Sequence, residues 1–227
     1  MPDRTLTPSE LLSIWERGVG QRPSGRALAL LEGDATGLPV GRRDALLLDL
    51  REQIFGNALT GITSCPACGE EIELSFAVGE VRAEPSEVQS VRVVEGEYDL
   101  EARLPTSADL AAIETLGDLS LARETLFERC VGVAMRDLPS PVVDSVIAAM
   151  AAADPQADVQ VEAACPSCGE QWREPFDIAS YLFSELSVFA RRLLSDVHEL
   201  AAAYGWSERD ILALSPARRT AYLEMLR

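Results

Sequence analysis

One six-residue signature occurs twice in this chain, as Cys65-Pro-Ala-Cys68-Gly-Glu and Cys165-Pro-Ser-Cys168-Gly-Glu, one hundred positions apart. A Cys-x-x-Cys turn lets two thiolates face one metal ion, and the glycine behind it, Gly69 or Gly169, gives the backbone room to turn away. Each copy is therefore half of a tetrahedral site, and neither has a completing pair close by in sequence. If one zinc ion takes four sulfurs, Cys65, Cys68, Cys165 and Cys168 must meet in space, and the metal clips together distant segments. Such a site is closed and supplies folding energy rather than chemistry. The alternatives are a degenerate site that has lost its metal, or disulfide pairing. Thioredoxin-type redox chemistry is disfavoured, because these turns lie between strands and do not open a helix, the setting that lowers a thiolate pKa.

The repeat extends slightly beyond the cysteines. Phe76 and Phe176 recur at the same offset, and each unit reads as strand, metal-type turn, returning strand. Ile72, Leu74 and Phe76 alternate with polar residues as a half-buried strand, with Ile62 to Ser64 as its mate. Val159, Val161 and Ala163 lead into the second pair, and Trp172, Glu174 and Phe176 come after it. The sequences flanking the two units do not match well, so the expectation is a repeated motif without a repeated domain.

The remaining chain reads mainly helical. Thr7-Pro8-Ser9-Glu10 has the form of a capping box with proline in the first turn, ahead of Leu11, Leu12, Trp15 and Val19. A short helix is expected from Ser24 to Leu31, a loop over Glu32 to Gly41, and a helix from Arg42 to Phe55 with Leu46, Leu47, Leu50, Ile54 and Phe55 as its stripe. A second hairpin is expected over Val91 to Val94 and Tyr98 to Leu104, after a polar loop from Gly79 to Gln89. Helices are then expected at Ser107 to Thr115, Leu121 to Cys130 and Pro141 to Ala152. Behind Asp177 the longest helix carries Ile178, Leu182, Leu186, Phe189, Leu193, Val197, Leu200 and Tyr204 as one stripe, widened by Phe183, Val188, Ala190 and Leu194. Two short helices start at Ser207 and Ser215. The fold class is α+β, mainly helical, with short antiparallel hairpins carrying the two Cys-x-x-Cys turns joined by one zinc. Three regions are expected: N-terminal helices over 1–60, hairpins and helices with the half-sites over 61–176, and C-terminal helices over 177–227.

The chain has 227 residues and a formal charge of −17, and all its basic side chains are Arg. That balance opposes binding to a phosphate backbone and to anionic membrane. There is no run of about 18 apolar residues to span a bilayer, and no basic-then-apolar leader. The expected partners therefore include neither nucleic acid nor membrane, and the expected location is the cytoplasm. No phosphate loop or nucleophile elbow is present. Cys130 reads as a buried thiol. His198, the one histidine, reads as a helix-surface residue, and Arg192 is placed to pair with Asp196 one turn on.

The stretch from His198 to Leu223, His-Glu-Leu-Ala-Ala-Ala-Tyr-Gly-Trp-Ser-Glu-Arg-Asp-Ile-Leu-Ala-Leu-Ser-Pro-Ala-Arg-Arg-Thr-Ala-Tyr-Leu, resembles the end of the baseplate hub assembly chaperones. These belong to contractile-tailed phages of the T-even kind and related contractile injection systems. Cys165-Pro-Ser-Cys168, Trp172, Phe176 and Asp177-Ile178 fit the same pattern. The resemblance is carried mainly from Thr106 onward and least before Cys65. It implies a non-enzymatic assembly factor whose partners are baseplate or hub proteins, with no catalytic residue to carry over. A structural baseplate component is the alternative, and a zinc-ribbon nucleic-acid accessory protein the rival of another class. A partner surface is expected on the C-terminal helices from Asp177 to Arg227, with Trp206 and Tyr222 near its edge.

Overall fold

The computed structural model describes residues 6–84 and 86–226. Residues 1–5, Pro85 and Arg227, which fall within the expected terminal regions and the 79–89 loop, lie outside them. Three helices open the chain: α1 (Pro8–Gly18), α2 (Pro23–Leu30) and α3 (Val40–Phe55). The capping box is formed, with Glu10 Oε2 accepting from the Thr7 backbone N–H at 2.7 Å. The first cysteine turn joins β1 (Ala58–Ser64) to β2 (Glu71–Ala77), after which α4 (Val78–Val81) makes one turn. A hairpin of β3 (Ser90–Glu95) and β4 (Tyr98–Arg103) comes next. It leads to α5 (Ser107–Ile113), α6 (Leu119–Val131) and α7 (Ser140–Ala153). The second cysteine turn joins β5 (Gln160–Ala164) to β6 (Gln171–Pro175). The chain ends in α8 (Ile178–Tyr204), α9 (Glu208–Leu212) and α10 (Pro216–Glu224). The expected class, mainly helical α+β with small antiparallel hairpins, is the one observed.

The repeat is wider than the motif, which corrects the expectation from the flanking sequences. Three helices precede each cysteine hairpin. Helices α3 and α7 begin one hundred positions apart, each behind the same Leu-Pro pair, Leu38-Pro39 and Leu138-Pro139. The two hairpins share one register, with Ser64 opposite Glu71 and Ala164 opposite Gln171. In α1 and α5 the third helical residue reaches back to its own N-cap: Glu10 to Thr7, and Asp109 to the Thr106 N–H at 2.9 Å. The segments behind the two cysteine hairpins are exchanged between the units. The α8 that succeeds the second hairpin packs on α1, α2 and α3 of the first unit, while β3 and β4, which succeed the first hairpin, pack on α6 and α7 of the second.

Two cores result. One is built from Leu11, Ile14, Ala27, Leu30, Leu47, Leu48, Leu59, Val78, Val81, Ile178, Ala179, Leu182 and Leu186. The other gathers Ala102, Phe127, Val143 and Val146, with Val91, Val93 and Leu100 from the hairpin against them. Aliphatic side chains dominate both, as burial of apolar surface requires.

Several local expectations are revised. α3 starts at Val40, so Gly41 lies inside the helix. Its N–H donates to Asp154 Oδ2 at 2.9 Å, and a Cβ there would collide with Asp154 Oδ1 and come within 2.8 Å of Ala157 N, so only glycine permits this approach. The polar segment after β2 opens with α4 because Val78 and Val81 both bury in the first core. Val19, Leu46, Val188 and Leu194 face solvent, so the apolar stripes are narrower than periodicity suggests. Asp196 is engaged by Arg219 Nε at 3.0 Å, from α10 rather than from its own helix.

Candidate metal centre

Each cysteine turn is closed by the same pair of backbone bonds. Cys65 N–H donates to Glu70 O at 2.9 Å and Gly69 N–H to Cys65 O at 2.9 Å; Cys165 N–H donates to Glu170 O at 2.8 Å and Gly169 N–H to Cys165 O at 2.9 Å. Gly69 and Gly169 hold φ of 76° and 78°, left-handed backbone that a side chain would strain. The turn points both sulfurs of a pair to the same side, and the hairpins meet tip to tip.

Across the meeting point Cys65 Sγ lies 3.6 Å from Cys168 Sγ, and Cys68 Sγ lies 3.6 Å from Cys165 Sγ. All four sulfurs fall within 4.8 Å of one another. At a Zn–S length of about 2.3 Å, the sulfurs of a tetrahedral site stand about 3.8 Å apart, so this donor set fits zinc with little adjustment. A disulfide requires about 2.05 Å, and all five cysteines are free thiols in the structure. Four protein sulfurs leave no open coordination position, which suits a structural ion and not a hydrolytic one.

Cys65 and Cys165 are buried, while Cys68 and Cys168 face solvent. As thiols, Cys165 and Cys168 hold their protons unequally. Burial works to raise the Cys165 thiol, but backbone N–H groups of Cys168 and Ser167 and the thiols of Cys168 and Cys68 pull it down to about 7. The Glu170 N–H works to lower Cys168, but its bonds to Cys165 and Cys68 push it up to about 12. The backbone donors are aimed at sulfur and favour its anionic form.

The shell around the cluster ties the two hairpins together. Ile72, Leu74 and Trp172 pack on Cys65 and Cys165. Glu174 Oε2 accepts from Thr63 Oγ1 at 2.8 Å and from Trp172 Nε1 at 2.9 Å, joining β1 to β6. Phe76 and Phe176, the repeated pair, meet edge to face at 5.4 Å. Tyr181 on α8 carries the link onward, its hydroxyl accepting from Thr60 N–H at 3.0 Å and donating to Thr60 O at 2.9 Å. Alternation in the sequence signals Trp172 and Phe176; the ties of Glu174 to Thr63 and of Tyr181 to Thr60 carry no local signal, since each spans more than a hundred positions.

The other candidate residues lie apart from the cluster. Cys130 is buried on α6, and burial pushes its thiol up to about 11. His198 is exposed on α8. A cleft of about 410 Å³ opens between α2, α3, α5 and the start of α8, with the buried Arg43–Asp44 pair in its wall. Among the described residues no helix is long and apolar enough to cross a membrane.

No curated protein and no solved structure matches the chain. A family model does match the chain. It covers a little under half of the sequence, from α2 to the end of α6, and so falls outside the His198–Leu223 stretch that carries the resemblance. Residues 28–133 of this chain match the family described as T4 bacteriophage base plate protein.

Proposed function

We propose that the protein is a chaperone or adaptor for the baseplate or hub of a contractile tail or injection system, acting in the cytoplasm by binding other baseplate proteins. The observation that carries this reading is the match of residues 28–133 to the base plate family. The formal charge of −17 weighs against the nucleic-acid rival. One zinc ion held by Cys65, Cys68, Cys165 and Cys168 shapes the chain; the reading rests on the spacing of their sulfurs. The ion, when bound, supplies a fixed tetrahedral node; the residues around it orient the two hairpins and exclude solvent from the inner sulfurs.

The partner surface is assigned to the C-terminal end. Tyr204 stacks on Trp206 with ring centroids 4.7 Å apart, and Tyr222 meets Trp206 edge-on at 4.9 Å. Trp206 and Tyr222 pack against the small core of Val197, Leu200 and Ile211. Tyr204, Met225 and Leu226 remain exposed beyond it, and apolar side chains gathered at one end of a chain suit a protein contact.

Deleting the gene in its native system tests the role. Tail or injection particles should be absent or lack baseplates; normal, contractile particles would refute assembly. The family description also favours a second reading, a permanent baseplate component. Detection of the protein in purified mature particles selects that reading over the chaperone.

A further inference from the structure

The first core is discontinuous in sequence. Its buried members fall within residues 11–81 and 178–186, whereas those of the second core fall within 102–146. Closing the first core therefore brings α8 back to α1–α3 across a long excursion of chain. The four sulfurs stand where the chain returns, and Cys68 and Cys165, in contact there, are 97 positions apart.

A continuous set of contacts runs from the sulfurs into that core. Ile72, Leu74 and Trp172 surround the buried cysteines. Phe76, Phe176 and Tyr181 form the next layer, with Phe176 and Tyr181 5.4 Å apart. Leu59, Val78 and Ile178 lie beyond, all within the first core. One turn further along α8, Glu185 takes both Arg51 Nε at 2.9 Å and Arg51 Nη2 at 2.8 Å, from α3. The second core closes through its own neighbours, with Arg103 and Arg129 both paired to Asp109.

We propose that the four-sulfur cluster is a latch on α8: the bound metal holds the N-terminal helices and α8 closed, and the core beneath β3 and β4 does not depend on it. The latch rests on the assignment of the four cysteines to one metal ion. On chelation the ion passes to the chelator, the four thiolates take up protons from water, and the two hairpin tips are free to part. The loop closure that the metal enforced is then lost to the first core alone.

Hydrogen exchange read by mass spectrometry on the full-length reduced protein tests this, with and without EDTA and with zinc quantified in the same samples. Peptides from α1–α3 and from 178–190 should exchange roughly a thousandfold faster after chelation, the scale set by an unclosed loop of this length. Peptides from β3, β4, α6 and α7 should be unchanged. If every region accelerates together, or none does although zinc has left, the latch is overturned while the metal reading stands. A reduced sample that neither holds nor takes up zinc overturns both. Tyr181→Phe removes the hydroxyl tie to Thr60 without touching a sulfur. It should keep its zinc and show roughly tenfold faster exchange in the first turns of α8; unchanged exchange there would overturn the proposed route.

Discussion

The two packing groups start from the same order of elements and close by different routes. In the first, three helices are covered by a 27-residue helix that arrives from the other end of the chain. In the second, two of the three helices, α6 and α7, are covered by a short hairpin that comes before the trio in sequence. Local closure costs little loop entropy, and long-range closure costs more, by an amount that grows slowly with length. The first group carries a bidentate Arg51–Glu185 pair, with Arg51 2% exposed, the Tyr181–Thr60 bonds, and the four gathered sulfurs, which one metal ion would join. The second compensates with one acid, Asp109, 1% exposed and shared by two arginines.

The comparison is broken most directly at the sulfurs. Cys65→Ser or Cys168→Ser should release zinc and lower stability by about 4–5 kcal/mol, the scale of a cross-link closing a loop of about 100 residues. At this chain length that corresponds to a fall in melting temperature of about 10–20 °C. Calorimetry with zinc analysis checks it. A variant that keeps both zinc and melting temperature would remove that cysteine from the ligand set.

Asp109 is the corresponding test for the second group. Burial works to raise its carboxyl, but hydrogen bonds from Arg103, Thr106 and Arg129 outweigh it and hold it well below the usual carboxylate range. Asp109→Ala leaves two arginine heads without their carboxylate and should cost about 3 kcal/mol, with zinc fully retained. The depression also sets the sign of the pH dependence. A depressed carboxyl contributes stability that is present above about pH 4 and is lost as pH falls below it. Acid unfolding should therefore begin at a higher pH in Asp109→Ala only through its lower overall stability, and its low-pH slope should be shallower. Urea midpoints measured between about pH 2 and 5 decide this, and an unchanged slope would show that Asp109 is not the titrating group.

How much of this is legible in the residues alone depends on the range of the interactions. Helix starts are legible because their signals are local: Thr7 and Asp177 sit at N-caps and Pro8 in a first turn, as the sequence indicates. The hairpins are legible because alternation fixes their faces, and their shared register comes from near-identical turns. The exchange of covering segments is not, because no local pattern states which trio α8 will cover. The duplicated helices are hidden for a related reason. Few positions repeat besides Leu-Pro at 38 and 138 and an acid at 44 and 144. The offset also slips by one between α1 and α5, whose N-caps are Thr7 and Thr106. Arg43 and Asp44 are charged and yet both are buried, and Arg43 reaches Ser107, 64 positions away. Of the candidate site, the four sulfurs are legible from spacing, and the Glu174 and Tyr181 supports are not.

The buried Arg43–Asp44 pair lies where the two units meet, with Arg43 bonded to Ser107. Burial raises the Asp44 carboxyl to about 6 against the opposing pull of Arg43. A raised carboxyl favours the folded state below its unfolded value, and that contribution fades as pH climbs through about 6. Two pKa units correspond to about 2–3 kcal/mol. Stability should thus fall between about pH 4 and 6.5 in the native protein, and Asp44→Asn should flatten that interval. Chemical denaturation across the interval, with zinc content held constant, checks it; an undiminished fall in the variant would assign the titration elsewhere.

The smallest effect should come from the fifth cysteine. Cys130 has the chemistry of the four clustered cysteines and none of their placement: it sits on α6, buried beside Arg103, Asp109 and Arg129. Burial holds its thiol at about 11, so it stays protonated and is a poor metal ligand at neutral pH. Cys130→Ser replaces a buried sulfur with a hydroxyl that needs a hydrogen-bond partner, and should cost about 1–2 kcal/mol. Zinc stoichiometry should be unchanged, and exchange rates in α8 should match those of the native chain. If this variant instead loses zinc in parallel with Cys168→Ser, the separation between the two packing groups fails, because a side chain of the second would then be governing the metal that closes the first.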